Sequence, residues 1–353
     1  MQAHSSSRLV LFLAVAAVVF CRRLPFVTAG YGADNDAWGV FNAGRHFALT
    51  GHYQPSRPPG YPIPEVAASL IWRHGWVATN CIAALLSGLA VAFFVLYLME
   101  LGCRQWLFGG AALAFAPVVY INSTCTMDYI YGLSFAMGSL YFISRRQPIV
   151  AGVLLGAAIG SRITYAAMIV PMGVMWFTGG PENRRRDAAE LISYVLAVAV
   201  VAAAAFAPAF RSCGAGFFTF VEGRAGLSKI AWLFTEGVWG LVGLLAILAA
   251  VFAPRSWEKS DARAIPDGVP ASHLAGWIIG IIIYAALFFR LPVESGYLIP
   301  IVPFVILLLG RTRGARLFRL ACIGLVVSPF VFGVSRLGSA PGWADIALAQ
   351  HRF

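Results

Sequence analysis

The chain has 353 residues, 59% of them hydrophobic and only 12% charged, with a mean hydropathy of +0.77. A soluble domain carries about a quarter charged residues, so half that level excludes a water-facing globular surface and leaves lipid as the natural solvent. The net charge of +11 comes from 24 Arg and two Lys, Lys229 and Lys259. With no soluble basic face to carry it, this excess argues against a nucleic-acid partner and fits positive residues at the cytoplasmic ends of membrane helices.

Apolar runs long enough to span a bilayer, or nearly so, fall at 9–21, 76–99, 105–121, 128–143, 149–161, 163–178, 190–209, 231–253, 273–289, 297–310 and 317–334. In hydrocarbon every backbone N–H and C=O needs a partner within the chain, so each run is predicted to be a helix. The expected fold class is an all-α polytopic membrane protein of about eleven transmembrane helices (ten to twelve), forming a single transmembrane domain over 1–353. The tail 335–353 is too short for a soluble domain of its own. The first run follows Arg8 and precedes Val27-Thr28-Ala29, the ingredients of a cleaved signal peptide. Arg22 and Arg23 interrupt the approach to that site, and the run is read as a retained first helix.

The stretch 22–75 is polar by comparison. It reads Gly32-Ala33-Asp34-Asn35-Asp36-Ala37-Trp38, then an amphipathic helix to about Leu49, then Thr50-Gly51-His52-Tyr53 and Ser56-Arg57-Pro58-Pro59-Gly60-Tyr61-Pro62, and ends at Glu65. Four basic clusters follow it: Arg145 and Arg146; Arg184 to Arg186; Arg255, Lys259 and Arg263; and Arg311, Arg313 and Arg316. They fall between alternate runs, so all lie on one side, which the positive-inside rule makes cytoplasmic. The loop 22–75 is then external. Gly152, Gly156 and Gly160 are spaced for close helix packing and are read as packing only. The six Cys show no CxxC or CxxH spacing, so neither a metal site nor a disulfide framework is supported.

Nearly all of the external charge sits in a few places. Asp34 and Asp36 lie in the first loop, where Asp36 sits at a helix start and has N-capping as its alternative role. Asp128 opens the run 128–143, Arg162 sits in the tight connection Gly160-Ser161-Arg162-Ile163-Thr164, and Arg290 and Glu294 flank Leu291-Pro292-Val293. Ionisable groups at membrane depth are costly, so they tend to face a cavity and one another. Each alone reads equally well as a snorkelling residue. Together they suit an anionic headgroup beside a hydroxyl that is to be deprotonated.

An Asp starting an amphipathic helix, with Arg nine and Gly fifteen residues on and then a basic-Pro-Pro segment, resembles the GT-C glycosyltransferases. The resemblance is to the branch containing protein O-mannosyltransferases and the lipid A aminoarabinose transferase. Here those positions are Asp36, Arg45, Gly51 and Arg57-Pro58-Pro59-Gly60-Tyr61. The segment 156–164, ending Arg162-Ile163-Thr164, is similar to a small-residue segment of these enzymes that ends in Lys or Arg-x-Thr. Glu294-Ser295-Gly296-Tyr297-Leu298-Ile299-Pro300 resembles their late Glu-x-Arg-Tyr-Leu-x-Pro segment. Gly296 stands where that segment has Arg, whose role is lost or moved to Arg290, and Ala37 stands where many members have Glu.

The resemblance runs over most of 1–310. It implies an enzyme that moves a sugar from a polyprenyl-phosphate donor to a hydroxyl of a glycan, lipid or protein, at the periplasmic face of a bacterial inner membrane. Asp36 is the candidate general base, with Asp34 and Asp128 supporting it. Arg57, Arg162 and Arg290 are the candidates for the donor phosphate, and Tyr61, Glu294 and Tyr297 for substrate contacts. Arg suits a phosphate leaving group because its fork is bidentate, and direct displacement would invert the anomeric carbon. No cofactor is expected; Asp34-Asn35-Asp36 spells an Asp-x-Asp that would hold Mg2+ or Mn2+ if a divalent cation were used. The alternatives are a transporter or flippase of lipid-linked saccharides, which predicts inverted repeats and midplane charges, and a non-catalytic assembly subunit. Neither repeats nor midplane charges are visible in the sequence.

Overall fold

The computed structural model describes residues 2–32, 34–177, 181–219, 225–254, 257, 262–331, 334–335 and 347–348. Its helices, in order, are α1 (Gln2–Arg23), α2 (Asn35–Thr50), α3 (Pro62–Ile71), α4 (Gly75–Glu100), α5 (Trp106–Phe115), α6 (Pro117–Asn122), α7 (Tyr129–Ser144) and α8 (Pro148–Ser161). They continue as α9 (Ile169–Val174), α10 (Arg184–Cys213), α11 (Leu227–Phe234), α12 (Glu236–Phe252), α13 (Ala271–Arg290), α14 (Ile301–Thr312) and α15 (Ala315–Val331). A two-residue antiparallel pair, Val334–Ser335 with Ala347–Leu348, is the one sheet among the described residues.

Over the described residues each apolar run is mostly helical, as hydrocarbon demands. The number of spans is another matter. Among the described residues four helical segments, within 6–26, 62–100, 184–218 and 271–290, are long and apolar enough to cross a membrane, and a fifth if α11 and α12, bent by 58°, count together. Several of the rest are shorter because the backbone breaks within or between the runs. Pro117 forces Ala116 out of the helical region (ψ 126°), splitting α5 from α6. Arg162 is extended (φ −153°, ψ 118°), and a 3-10 turn, Ile163–Met168, stands between α8 and α9. Gly240, at φ 64°, interrupts α12. The break after α5 frees carbonyls, and the buried Arg23 at the end of α1 donates to one of them, Ala114 O, with its guanidinium 4.3 Å from the Tyr120 ring centre.

Helices α1, α4, α7, α8 and α10 pack in series, α15 lies against α5 and α12, and α13 lies against α9 and α14. The glycine stripe on α8 has the packing role expected of it. A Cβ at Gly152 would stand 2.5 Å from Tyr194 O, one at Gly156 2.6 Å from Val201 Cβ, and one at Gly160 2.6 Å from Ala205 Cβ, so α8 and α10 touch almost backbone to backbone.

The polar connections gather at two opposite ends. At the first, Glu100 pairs with Arg8 and, at 3.1 Å, with Arg145. Arg146 pairs with Asp187 and Glu190 at 2.5 and 2.6 Å, and Asp267 with Arg263 and Arg311. The Arg104 N–H on Ala264 O, at 3.3 Å, joins the two groups. The four basic clusters therefore share one end, as their alternation predicted; Arg255 and Lys259 lie outside the described residues. The stretch 24–74, with α2 and α3, covers the other end, together with the connections after α6, α8 and α13. This is the all-α, multi-pass membrane architecture expected from composition.

Candidate active site

Helix α2 begins one residue before Asp36, which rules out a capping role for that aspartate. Asp34, not Asp36, is the N-cap: its backbone is extended (φ −87°, ψ 139°) and its Oδ1 accepts the Asp36 N–H at 2.7 Å. The capping reading of Asp36 is thus corrected by one helical turn's geometry, since a cap must precede the first helical residue. Asp36 is left with a free carboxylate, which ion-pairs with Arg57 at 2.6 Å and accepts from the Tyr61 hydroxyl at 3.3 Å. Burial raises its carboxyl above the usual range, opposed by Arg57 and reinforced by Asp34 and Asp128. Gly51 ends α2 in the left-handed region (φ 71°), its N–H returning to Phe47 O, while Arg45 is exposed and stands over Trp72 at 5.8 Å. Those two family-like positions belong to the helix and not to the site.

Arg57 follows α2 in an irregular stretch that contains a cis Pro58-Pro59 bond. It donates to the Tyr61 hydroxyl and lies 5.2 Å from that ring's centre. Across from it, the break after α8 presents Arg162. Arg162 is buried and paired with the fully buried Asp128 at 2.6 Å. Its guanidinium sits 4.0 Å from the Tyr129 ring centre, 4.5 Å from Tyr297 and 5.7 Å from Tyr61, an aromatic cage that stabilises a cation in a dry setting. Asp128 precedes α7, and its side chain makes no capping bond. Among the described residues Asp128 Oδ1 and Arg162 Nε have no hydrogen-bond partner, so the pair retains capacity for a further group.

A cavity of about 90 Å³ opens between these elements, lined by 57–61 on one wall and by Arg162, Ile163, Thr164, Leu291 and Tyr297 on the other. It has room for a few waters or one small anionic group. Three segments more than a hundred residues apart in sequence, each singled out by its resemblance, thus meet around one space. Arg290 is exposed at the end of α13 and does not line it.

The carboxylates form a second group beside the first. Oxygens of Asp34, Asp36 and Glu294 lie within 4.8 Å of one another. Burial and the proximity of Asp34 push the Glu294 carboxyl up to about 7, and the Tyr129 hydroxyl donates to it at 2.5 Å. Three carboxylates in such a group are able to hold a divalent cation, but Asp36 is already neutralised by Arg57 and Asp34 is committed to its cap.

Tyr129 is the site residue that sequence reasoning passed over. It floors Arg162, bonds Glu294, and fills the space beside Gly296: a Cβ there would stand 2.5 Å from the Tyr129 ring. The residue that replaces Arg in the family-like segment is therefore a glycine because an aromatic ring needs its place. The available signal was adjacency to Asp128, masked by an apolar run in which an aromatic is ordinary.

No protein-family profile matches the chain, and no curated protein does. Among solved structures it is similar to the crystal structure of ArnT from Cupriavidus metallidurans bound to undecaprenyl phosphate. The TM-score is 0.57 at 18% identity, over 90% of this chain and 59% of that one. The chain thus spans about three fifths of its neighbour's length. At this identity the likeness shows the fold alone: the chain shares the multi-pass helical architecture of that structure.

Proposed function

We propose that this chain is a GT-C type glycosyltransferase that moves a sugar from a polyprenyl-phosphate donor to a hydroxyl acceptor, at the external face of a bacterial inner membrane. The observation that carries the reading is the convergence of Arg57, Arg162, Tyr61 and Tyr297 on one cavity beside the Asp36 carboxylate. ArnT, which shares the fold, was solved with undecaprenyl phosphate bound. The site lies at the end opposite the basic clusters, which the positive-inside rule makes external.

The donor phosphate is held by Arg57 and Arg162. Without donor, Arg57 is paired with Asp36. An entering phosphate competes for Arg57 and leaves Asp36 ionised, raised in basicity by burial, and available to a hydroxyl. The acceptor oxygen attacks the anomeric carbon as its proton passes to Asp36, and the bond from that carbon to the phosphate oxygen breaks on the opposite face, inverting the centre. The free lipid phosphate leaves with its new charge compensated by the two guanidiniums, an interaction strongest where charge develops in a low-dielectric site. Tyr61, Tyr297 and Glu294 line the approach. Asp128 holds Arg162 in place. The commitment of Asp34 and Asp36 to other partners favours a metal-free reaction, so a chelator is expected to leave turnover within about twofold.

The test is incubation of the purified protein with a panel of radiolabelled polyprenyl-phosphate sugars. Release of free lipid phosphate is expected, and Arg57→Ala and Arg162→Ala should each weaken donor binding. Lys at either position should restore only part, because the bidentate fork is gone. Donor affinity unchanged in both Ala variants would remove the phosphate assignment. Movement of intact donor across liposomes, with no release, would make the protein a transporter.

A further inference from the structure

Glu65 lies on α3, outside the cavity, and its side chain is fully buried. A buried carboxylate is costly unless it is hydrogen-bonded, and the donors around Glu65 all come from one short stretch. Oε1 accepts the Ser56 N–H at 2.9 Å and the Ser56 hydroxyl at 2.6 Å, and Oε2 accepts the Tyr53 hydroxyl. A Cβ on Gly60 would come within 3.4 Å of the same Oε2. The carboxylate is therefore the hub around which 53–60 is wound. That stretch has no helix or strand to order it, and the residue after Ser56 is Arg57, which must meet both Asp36 and the cavity.

We propose that Glu65 is a positioning residue for donor binding: by holding Tyr53 and Ser56 it fixes the backbone from which Arg57 reaches the phosphate. The inference rests on the phosphate role of Arg57 given above. Arg57 is only partly buried and follows Ser56 directly in a stretch without helix or strand, so its aim depends on where Ser56 is held. A misplacement of about 1 Å at a charge-compensating group costs up to about 10²-fold. The requirement is for acceptor geometry and not for charge. A glutamine would keep its oxygen on Ser56 and turn its amide toward the Tyr53 hydroxyl, which then accepts.

The experiment is a double-mutant cycle read as binding of polyprenyl monophosphate, without sugar, to the purified full-length protein in detergent micelles. Glu65→Ala is expected to raise the Kd about tenfold, Glu65→Gln to stay within about threefold of wild type, and Ser56→Ala to fall between them. On an Arg57→Ala background, Glu65→Ala and Ser56→Ala should add nothing further, because there is no guanidinium left to misplace. If Glu65→Ala does not fold, Ser56→Ala and Glu65→Gln with and without Arg57 carry the same test. Full additivity with Arg57→Ala would overturn the inference, as would unchanged affinity in both Glu65→Ala and Ser56→Ala. Glu65→Gln as weak as Glu65→Ala would show that the charge acts directly, which also overturns it. Unchanged binding in Arg57→Ala itself would instead sink the phosphate reading on which the inference rests.

Discussion

Asp34 and Asp36 differ by two residues and by everything that matters for chemistry. Asp34 accepts a backbone N–H and starts a helix; Asp36, inside the first turn, faces Arg57 and Tyr61. Removing a general base typically costs about 10²–10⁴-fold in rate, whereas losing an N-cap costs about 1 kcal/mol of stability. Asp36→Asn is therefore expected to insert, fold and bind donor while transfer collapses, and Asp34→Asn to lose thermal stability while keeping most activity. Rates and melting temperatures of the two variants, measured side by side, decide it: the opposite pattern would move the base by two residues. Glu294 offers a separate handle. Its carboxyl, near 7 against an ordinary 4.5, binds its proton more tightly folded than unfolded. That contribution to stability is complete below about pH 4.5 and lost as pH rises through 7. The melting temperature should fall over this window in wild type and fall less in Glu294→Gln; identical profiles would mean that Glu294 is not buried beside Asp34. The sequence made Asp36 conspicuous through its offsets to Arg45 and Gly51. It hid the division of labour, because Asp-x-Asp at a helix start leaves the cap ambiguous by a turn's fraction. Tyr129 and Glu65 were illegible for a related reason: Tyr129 acts through Arg162 and Glu294, far along the chain, and Glu65 through Tyr53 and Ser56, a pairing that no local pattern marks.

At the scale of elements, apolar runs are legible because lipid imposes helices wherever they occur. Their interruptions are less so, and the site is built on the interruptions. Arg162 reaches the cavity because α8 stops at Ser161 with an extended residue, and Arg57 because Gly51 ends α2 and the chain stays irregular from there to Tyr61. The small-residue stripe on α8 was read correctly, since glycines at four-residue intervals have few other uses in a membrane helix. It sets a further prediction. Because a Cβ at Gly156 would lie 2.6 Å from Val201 Cβ and 3.0 Å from Val198 O, Gly156→Ala should push α10 from α8 at a cost of about 1–3 kcal/mol. A lowered melting temperature in detergent is expected, together with weakened donor binding, because α8 delivers Arg162. An unaltered melting curve would mean that the two helices do not lie this close.

At the scale of the whole molecule, function depends on which end faces out. Arg8, Arg145, Arg146, Arg263 and Arg311 meet acidic partners at one end, while Arg57 and Arg162 stand at the other, so the basic clusters and the candidate site are separated by the length of the bundle. Basic residues in short loops resist translocation, so on the proposed reading the first end is cytoplasmic and the site is external, where a polyprenyl-linked donor and an envelope acceptor would meet. The two sides are distinguishable by labelling in a background with its six native Cys replaced. A single Cys at Asn42, exposed on α2, should react with a membrane-impermeant maleimide added to intact cells; one at Asn183, beside the Arg184 cluster, should react only after permeabilisation. Agreement would fix Asp36 and the cavity on the external side. The reverse pattern would leave the bundle intact but turn it over, putting the site in the cytoplasm, where soluble nucleotide-sugars would compete as donors and the lipid-linked reading would lose its main rationale.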